Sequence, residues 1–239
     1  MRDGMSGGAP DFPPLLTGRA VAGEAPRAAA IRAAQEGADP GLVLYDPLSE
    51  DLHVAMVFAP DRPRAEAAVV LPLCGVALQN ALGSVAPPEV ALHLGWEGAV
   101  HINGGQAGRI AMIAPPCAED DVPDWMVVTI DLHFVPRSAD GGETPGETSL
   151  YAEGCGDLTP MPLLESYARH LLHWLHDWET DGLSALHRDY SGLVWQLGED
   201  VTLAGRSGHF LGLDETLGAL VKQDGTTHLL PLSLMMEQP

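Results

Sequence analysis

The sequence predicts an α+β chain: one medium domain of strands and long helices, then a small all-β domain of short strands. Three observations predict it. The stretch Leu92–Ile110, LHLGWEGAVHINGGQAGRI, reads as strand, tight turn, strand, Gly-rich turn, strand, because Val100 and Ile102 alternate with His101 and Asn103. Pro162–Asp181 carries Leu164, Ala168, Leu171, Leu175 and Trp178 at helical spacing, the mark of a helix buried along one stripe. From Gly198 the texture changes to short strands punctuated by Gly, Asp and Glu, the pattern of a small barrel. The reading is therefore an arm over residues 1–14, a first domain over 15–197 and a barrel over 198–239.

Each element has a local reason. Residues 1–14 are rich in Gly, Pro and Asp and read as a flexible arm. Arg27–Glu36 is Ala-rich and made of good helix formers, and Gly37 and Pro40 end it. Gly41–Tyr45 and Leu52–Ala59 read as strands joined by the loop Asp46–Glu50. Arg64–Gly83 is the main buried helix, with a kink or late start near Pro72. Its apolar run, Ala67–Leu82, is broken by Pro72, Gly75, Gln79 and Asn80, so it reads as a core helix, not a membrane span.

Pro87-Pro88 stops the chain before Val90–Trp96. Trp125–Val135 is the strongest strand, with Met126, Val128, Ile130, Leu132 and Phe134 on one face and Val127, Thr129, Asp131 and His133 on the other. Ser138–Glu147 is a run of Gly, Pro, Asp and Glu, hence an exposed loop. On the Pro162–Asp181 helix, Ser166, His170, His173 and Asp177 form an opposing polar stripe.

Charge narrows the partners. Thirty-three acidic residues against 12 basic ones give a net charge of −21, which argues against nucleic acid and anionic membranes. Lys222 is the only lysine, so no lysine is available earlier in the chain for phosphate or carboxylate work. Three cysteines without Cys-x-x-Cys spacing, and no basic-then-apolar leader, point to the cytoplasm. No metal is expected: His170, His173 and His176 span six residues of helix and cannot converge on one ion.

The central stretch resembles the biotin/lipoate protein ligase family, whose Lys-Trp-Pro-Asn-Asp run is followed by a strand, Asn-Gly, a Lys and Gly-Ile-Leu. Trp96 stands at the family's Trp, Asn103-Gly104 at its Asn-Gly, and Ile110 closes the pattern. Thr148-Ser149-Leu150 is similar to the family's Ala-Thr-Ser-Leu, and Val127–Phe134 to its Val-Val-Gly-Ile-Gly-Ile-Asn strand. The resemblance implies a mixed β-sheet with helices packed on one face, as in class II synthetases, followed by an SH3-like β-barrel. It also implies biotin, lipoate or ATP as ligands, Mg²⁺ where ATP is used, and a homodimer built by sheet extension.

The chain departs from the family where the chemistry lies. Gly95 and Gln106 replace the two lysines, and the Gly-Arg-Gly-Arg-type loop is reduced to Asp46–Glu50. Asp131 stands at the family's ligand-approach Gly, and His133 at its Asn. Joining a carboxylate to ATP brings several negative charges together, and fixed cations offset that repulsion. Their loss implies a diverged member that binds a small acyl or biotin-like carboxylate, a nucleotide or a protein partner without standard adenylation. One alternative is an active ligase or acyltransferase using other residues; another is an interaction module that assembles through the barrel or a sheet edge.

The candidate ligand-binding residues are Trp96, Asn103, Gly104, Gln106, Gly108 and Arg109. The candidate catalytic residues are Asp131, His133 and His101, which share a face with His93 if the strands lie as in the family, and Cys155, the most exposed thiol.

Overall fold

The computed structural model describes residues 9–137 and 146–239. Residues 1–8 of the expected arm and 138–145 of the loop expected to be exposed lie outside the described residues. From Ala9 onward the chain already lies against the domain: the Asp11 amide donates to Glu165 Oε1 at 2.9 Å, and Phe12 packs on Tyr45.

The first half alternates short strands and helices: β1 (Thr17–Ala20), α1 (Pro26–Gln35), β2 (Leu42–Tyr45), β3 (Leu52–Phe58), α2 (Arg64–Ala67) and α3 (Val70–Val85). A meander follows, β4 (Leu92–Leu94), β5 (Ala99–Ile102), β6 (Gly105–Ile113) and β7 (Met126–Leu132), then α4 (Pro160–Asp181) and α5 (Ser184–Ser191). The last part holds β8 (Asp200–Leu203), β9 (Arg206–Leu213), β10 (Ala219–Gln223), β11 (Thr226–Leu230), a 3₁₀ turn (Leu232–Met235) and β12 (Met236–Glu237).

Eight strands form one mixed sheet in the order β1-β2-β3-β7-β6-β5-β4, and β12 pairs parallel with β6. β1 pairs parallel with β2, and the other pairs along the path are antiparallel. β1 has no counterpart in the sequence reading because TGRA lacks an apolar alternation and is exposed throughout.

Period-2 alternation decides which helix each side chain meets. Val54, Met56, Val128, Ile130, Ile110 and Met112 face a core shared with α3 and α4. Ala55, Val57, Val127 and Ile113 face the opposite side, where Ala29, Ala30, Ala33 and Ala34 let α1 approach closely. The two long helices thus pack on one face, and α1 covers part of the other. Each fully buried aliphatic side chain here contributes roughly 1.5–3 kcal/mol relative to exposure.

The late start expected near Pro72 is seen. The chain breaks at Ala68-Val69, and α3 begins so that Pro72 falls in its first turn, where the missing N–H costs no helix bond. α3 is apolar all round because α4 and α5 cover it on one side and the sheet on the other. The stretch Arg64–Val85 is long and apolar enough to cross a membrane by composition, yet 72% of its most apolar window is buried inside the protein. On α4, Ser166 departs from the expected polar stripe: it is 4% exposed and its hydroxyl pairs with that of Ser84 on α3 at 2.9 Å. A hydroxyl can enter a helix–helix contact when a second hydroxyl satisfies it.

The C-terminal strands pair antiparallel in the order β11-β10-β9-β8, and among the described strands no ladder closes them into a barrel. Strands of four, eight, five and five residues are too few and short to wrap a core alone. Their apolar face, with Phe210, Ala219 and Val221, instead joins the main core. The joint is the turn between β4 and β5. Trp96, 1% exposed, donates its indole N–H to the Leu217 carbonyl at 3.0 Å, and the Glu97 carboxylate accepts the Ala204 amide at 2.9 Å. Gly98 makes this turn possible: its φ is +90°, and a Cβ there would lie 2.1 Å from the Ile110 carbonyl oxygen.

Candidate functional site

A polar cleft lies on the sheet face opposite the long helices. It has two lobes. One, about 310 Å³, is lined by His53, Gln106, Gly108, Arg109, Asp131 and His133 with Arg137 and Glu147. The other, about 460 Å³, runs along Arg27, Asp46, His53, Thr129 and Asp131 to the start of α1. His53 and Asp131 line both lobes.

Register builds the centre of this cleft. β7 lies between β3 and β6, and its Asp131 stands opposite His53 on one side and Arg109 on the other. The three side chains form a row of base, acid and base across three strands. His53 Nδ1 is 2.6 Å from Asp131 Oδ1. That hydrogen bond, opposed by partial burial and reinforced by the Asp131, Asp51 and Asp46 charges, raises the His53 pKa above its ordinary 6.5. Gly108 is the close-approach point between β6 and β7: a Cβ there would lie 2.2 Å from the Asp131 carbonyl oxygen.

A second acid–base pair borders the first. Asp51 Oδ1 accepts the backbone amides of Phe134 at 2.7 Å and Val135 at 3.1 Å, and Asp51 Oδ2 lies 3.3 Å from His133 Nδ1. Burial pushes the Asp51 pKa up, but the Val135 and Phe134 amides together with His133 outweigh it and hold the carboxyl below its ordinary value. On the far side, the Glu237 carboxylate from β12 bridges two cations, 2.7 Å from Arg27 and 3.0 Å from Arg109. The cleft therefore has cations, but two of its arginines are already engaged by a carboxylate of the chain.

Among the expected site residues, Gln106, Gly108, Arg109, Asp131 and His133 come together here. Arg109 points to the face opposite Gly108's, as strand alternation predicts, and that is the cleft face; Gly108, without a side chain, borders the cleft through its backbone. Arg109 stands directly across from Asp131 and is more than half exposed, so its long side chain reaches the opening.

His101 does not join this cluster. It opposes Gln106 on β6, whereas Asp131 opposes Arg109 further along the strand. Two strand spacings alone put His101 and Asp131 roughly 10 Å apart. His101 instead pairs across the ladder with His93, and both rings meet Trp195, with His101 stacked on it at 4.7 Å. Burial and the nearby His93 lower the His101 pKa.

Trp96 sits in the joint with the C-terminal sheet and not against the cleft. Asn103, with φ +48°, and Gly104, with φ +94°, form the two-residue hairpin turn between β5 and β6. Asn103 Oδ1 accepts the Ala91 amide and its Nδ2 donates to Glu153, so its polar groups are used structurally. Cys155 is 2% exposed rather than open, and burial with the Glu153 and Glu89 charges raises its thiol pKa, the opposite of what a nucleophile needs.

Four residues of the cleft escape a sequence reading: Asp51, His53, Arg27 and Glu237. The only local hint is that His53 opens a strand directly after the shortened loop Asp46–Glu50.

One pH dependence follows. His53 binds its proton more tightly folded than unfolded, so the His53–Asp131 pair stabilises fully below about pH 6.5 and loses its effect as pH rises through the raised folded-state value. Urea unfolding of the native protein and Asp131→Asn should therefore diverge most near pH 6 and converge toward pH 9. A stability difference that stays constant over that range would contradict the ion pair.

Comparison with known proteins places the chain in a family. Residues 12–192 match the model described as biotin/lipoate A/B protein ligase family, and residues 197–238 match one described as a domain of unknown function (DUF4444). A biotin protein ligase-like protein of unknown function from Silicibacter sp. TM1040 has a similar structure, with a TM-score of 0.90 and 49% identity over 96% of this chain and 100% of that one. The Aquifex aeolicus biotin protein ligase in complex with biotin and ATP is similar in fold, with a TM-score of 0.68 and 18% identity over 84% and 90% of the two chains. So is the Leishmania major biotin protein ligase in complex with biotinyl-5-AMP, at 0.57 and 14% over 91% and 99%. No curated protein matches the sequence. With most of its length matched by the family model and its mixed sheet shared with solved ligases, the chain belongs to the biotin/lipoate A/B protein ligase family.

Proposed function

We propose that the cleft binds a small carboxylate or acyl compound and does not adenylate it. The observation that carries this reading is the row His53–Asp131–Arg109. A carboxylate stands where the family's pattern has Gly, so phosphate groups entering the cleft would meet negative charge. Two unit charges 4 Å apart repel by about 4 kcal/mol at an effective dielectric near 20, enough to outweigh several hydrogen bonds. Gln106, in place of a lysine, supplies no charge to offset it. A ligand with one carboxylate brings a single charge: Arg109 meets Glu237 through Nη2, so its fork has other donors to offer, and Arg137 lines the same lobe as His53.

The test is a thermal-shift and calorimetric titration with biotin, lipoate and ATP. At least one of the two carboxylates should raise the melting temperature, since a ligand at a hundred times its Kd stabilises by about 2.7 kcal/mol. ATP should leave it unchanged, and Arg109→Ala should weaken the carboxylate. Stabilisation by ATP alone, or by neither carboxylate, would count against the reading.

One observation favours a second reading, acyl transfer. Asp131 fixes the His53 ring through Nδ1, the arrangement of an oriented general base. In that case His53→Gln would abolish turnover of an acyl thioester while leaving carboxylate binding intact.

A further inference from the structure

A second cavity lies behind the sheet, on the side of the long helices, and shares no lining residue with the cleft. Its volume is about 410 Å³. Met56 and Phe58 of β3, Met126 of β7 and Leu171, Leu175 and Trp178 of α4 form its apolar walls. The cavity is open to solvent on one side, where Leu15 is 76% exposed, and methionines on two walls let it adapt to a flexible occupant.

Among the described residues, Arg62 is the one cation in its lining, which also holds the Asp61 and Glu179 carboxylates. The Arg62 guanidinium lies over the Trp178 ring, 4.9 Å from its centroid. Its nearest carboxylates, on Asp61 at 3.8 Å and Glu66 at 3.7 Å, are beyond hydrogen-bond length. Their side chains are 91% and 60% exposed, against 35% for Arg62, so water screens them more than it screens the guanidinium. Stacking holds the guanidinium face on the indole and leaves its edge donors for a planar acceptor.

We infer that this cavity binds a medium-chain carboxylic acid, with the chain among Met56, Met126 and Leu175 and the carboxylate on Arg62. The site is independent of the cleft on the other face of the sheet, and the inference does not rest on the function proposed for that cleft.

Calorimetric titration of the full chain with decanoate tests it. One decanoate per chain should bind, Arg62→Gln should weaken binding about tenfold or more, and Leu175→Trp, which fills the cavity, should abolish it. Asp131→Asn should bind as the native protein does. Methyl-labelled methionine spectra give a readout that needs no variant: Met56 and Met126 should shift on saturation. No binding, or binding unaffected by both cavity variants, would overturn the inference. So would a concentration-dependent dimer abolished by Leu175→Trp in a protein that ignores decanoate, which would mean that a second copy fills the space.

Discussion

Trp96→Ala should cost about 3–5 kcal/mol of unfolding free energy, the range for truncating a fully buried Trp. Trp96 is 1% exposed and is the largest side chain in the joint between the two sheets. Its removal opens a cavity there and strips the Leu217 carbonyl of its 3.0 Å donor. Leu217 itself is fully buried with φ +68°, a conformation that the surrounding contacts must hold in place. Trp96→Phe keeps much of the packing and loses the hydrogen bond, so it should cost distinctly less. Urea unfolding separates the two. If Trp96→Ala costs under 1 kcal/mol, the joint is not where the C-terminal sheet is anchored.

Asp51→Ala should cost about 2–4 kcal/mol and loosen the cleft. The carboxylate accepts two backbone amides and faces His133. Alanine leaves both amides without that partner in a partly buried site, at about 1–3 kcal/mol for each group left unsatisfied. The damage reaches further through Phe134, which is fully buried against Tyr151 and whose carbonyl accepts the Tyr151 amide. Amide exchange at Phe134 and Val135 should quicken sharply, and Asp51→Asn, which keeps one acceptor, should fall between. The native protein's acid stability should show the same group. The folded Asp51 carboxyl titrates below its ordinary 3.8, so its contribution is present above that pH and is lost as pH falls through the lowered value.

The strands and long helices were legible because each buries a face and so imposes a period. Met126 to Phe134 alternates cleanly since α3 and α4 cover one side of β7, and the Pro72 late start follows from proline chemistry alone. Register was not legible. His53 and Asp131 are 78 residues apart, and no local pattern says that they stand opposite each other. The same blindness paired His101 with Asp131, when the ladder gives His101 to His93 and Trp195. Arg27 and Glu237 lie 210 residues apart and meet only because the chain returns after the small sheet to add β12 to the large one. A two-residue strand has too short a pattern to be read. The departures from the ligase pattern, Gly95, Gln106 and Asp131, were legible from sequence, but their consequence was not. Gly95 belongs to the turn at the joint, whereas Gln106 and Asp131 line the cleft, as does His133, another departure.

The most direct measurement is pyrophosphate release from ATP with biotin or lipoate present, run beside an active biotin ligase. A cleft centred on Asp131, with Arg27 and Arg109 bridged by Glu237, should release none above the no-protein background. Release at a rate comparable to the active ligase would contradict it, since ATP would then be reacting in a site that presents a carboxylate to its phosphates.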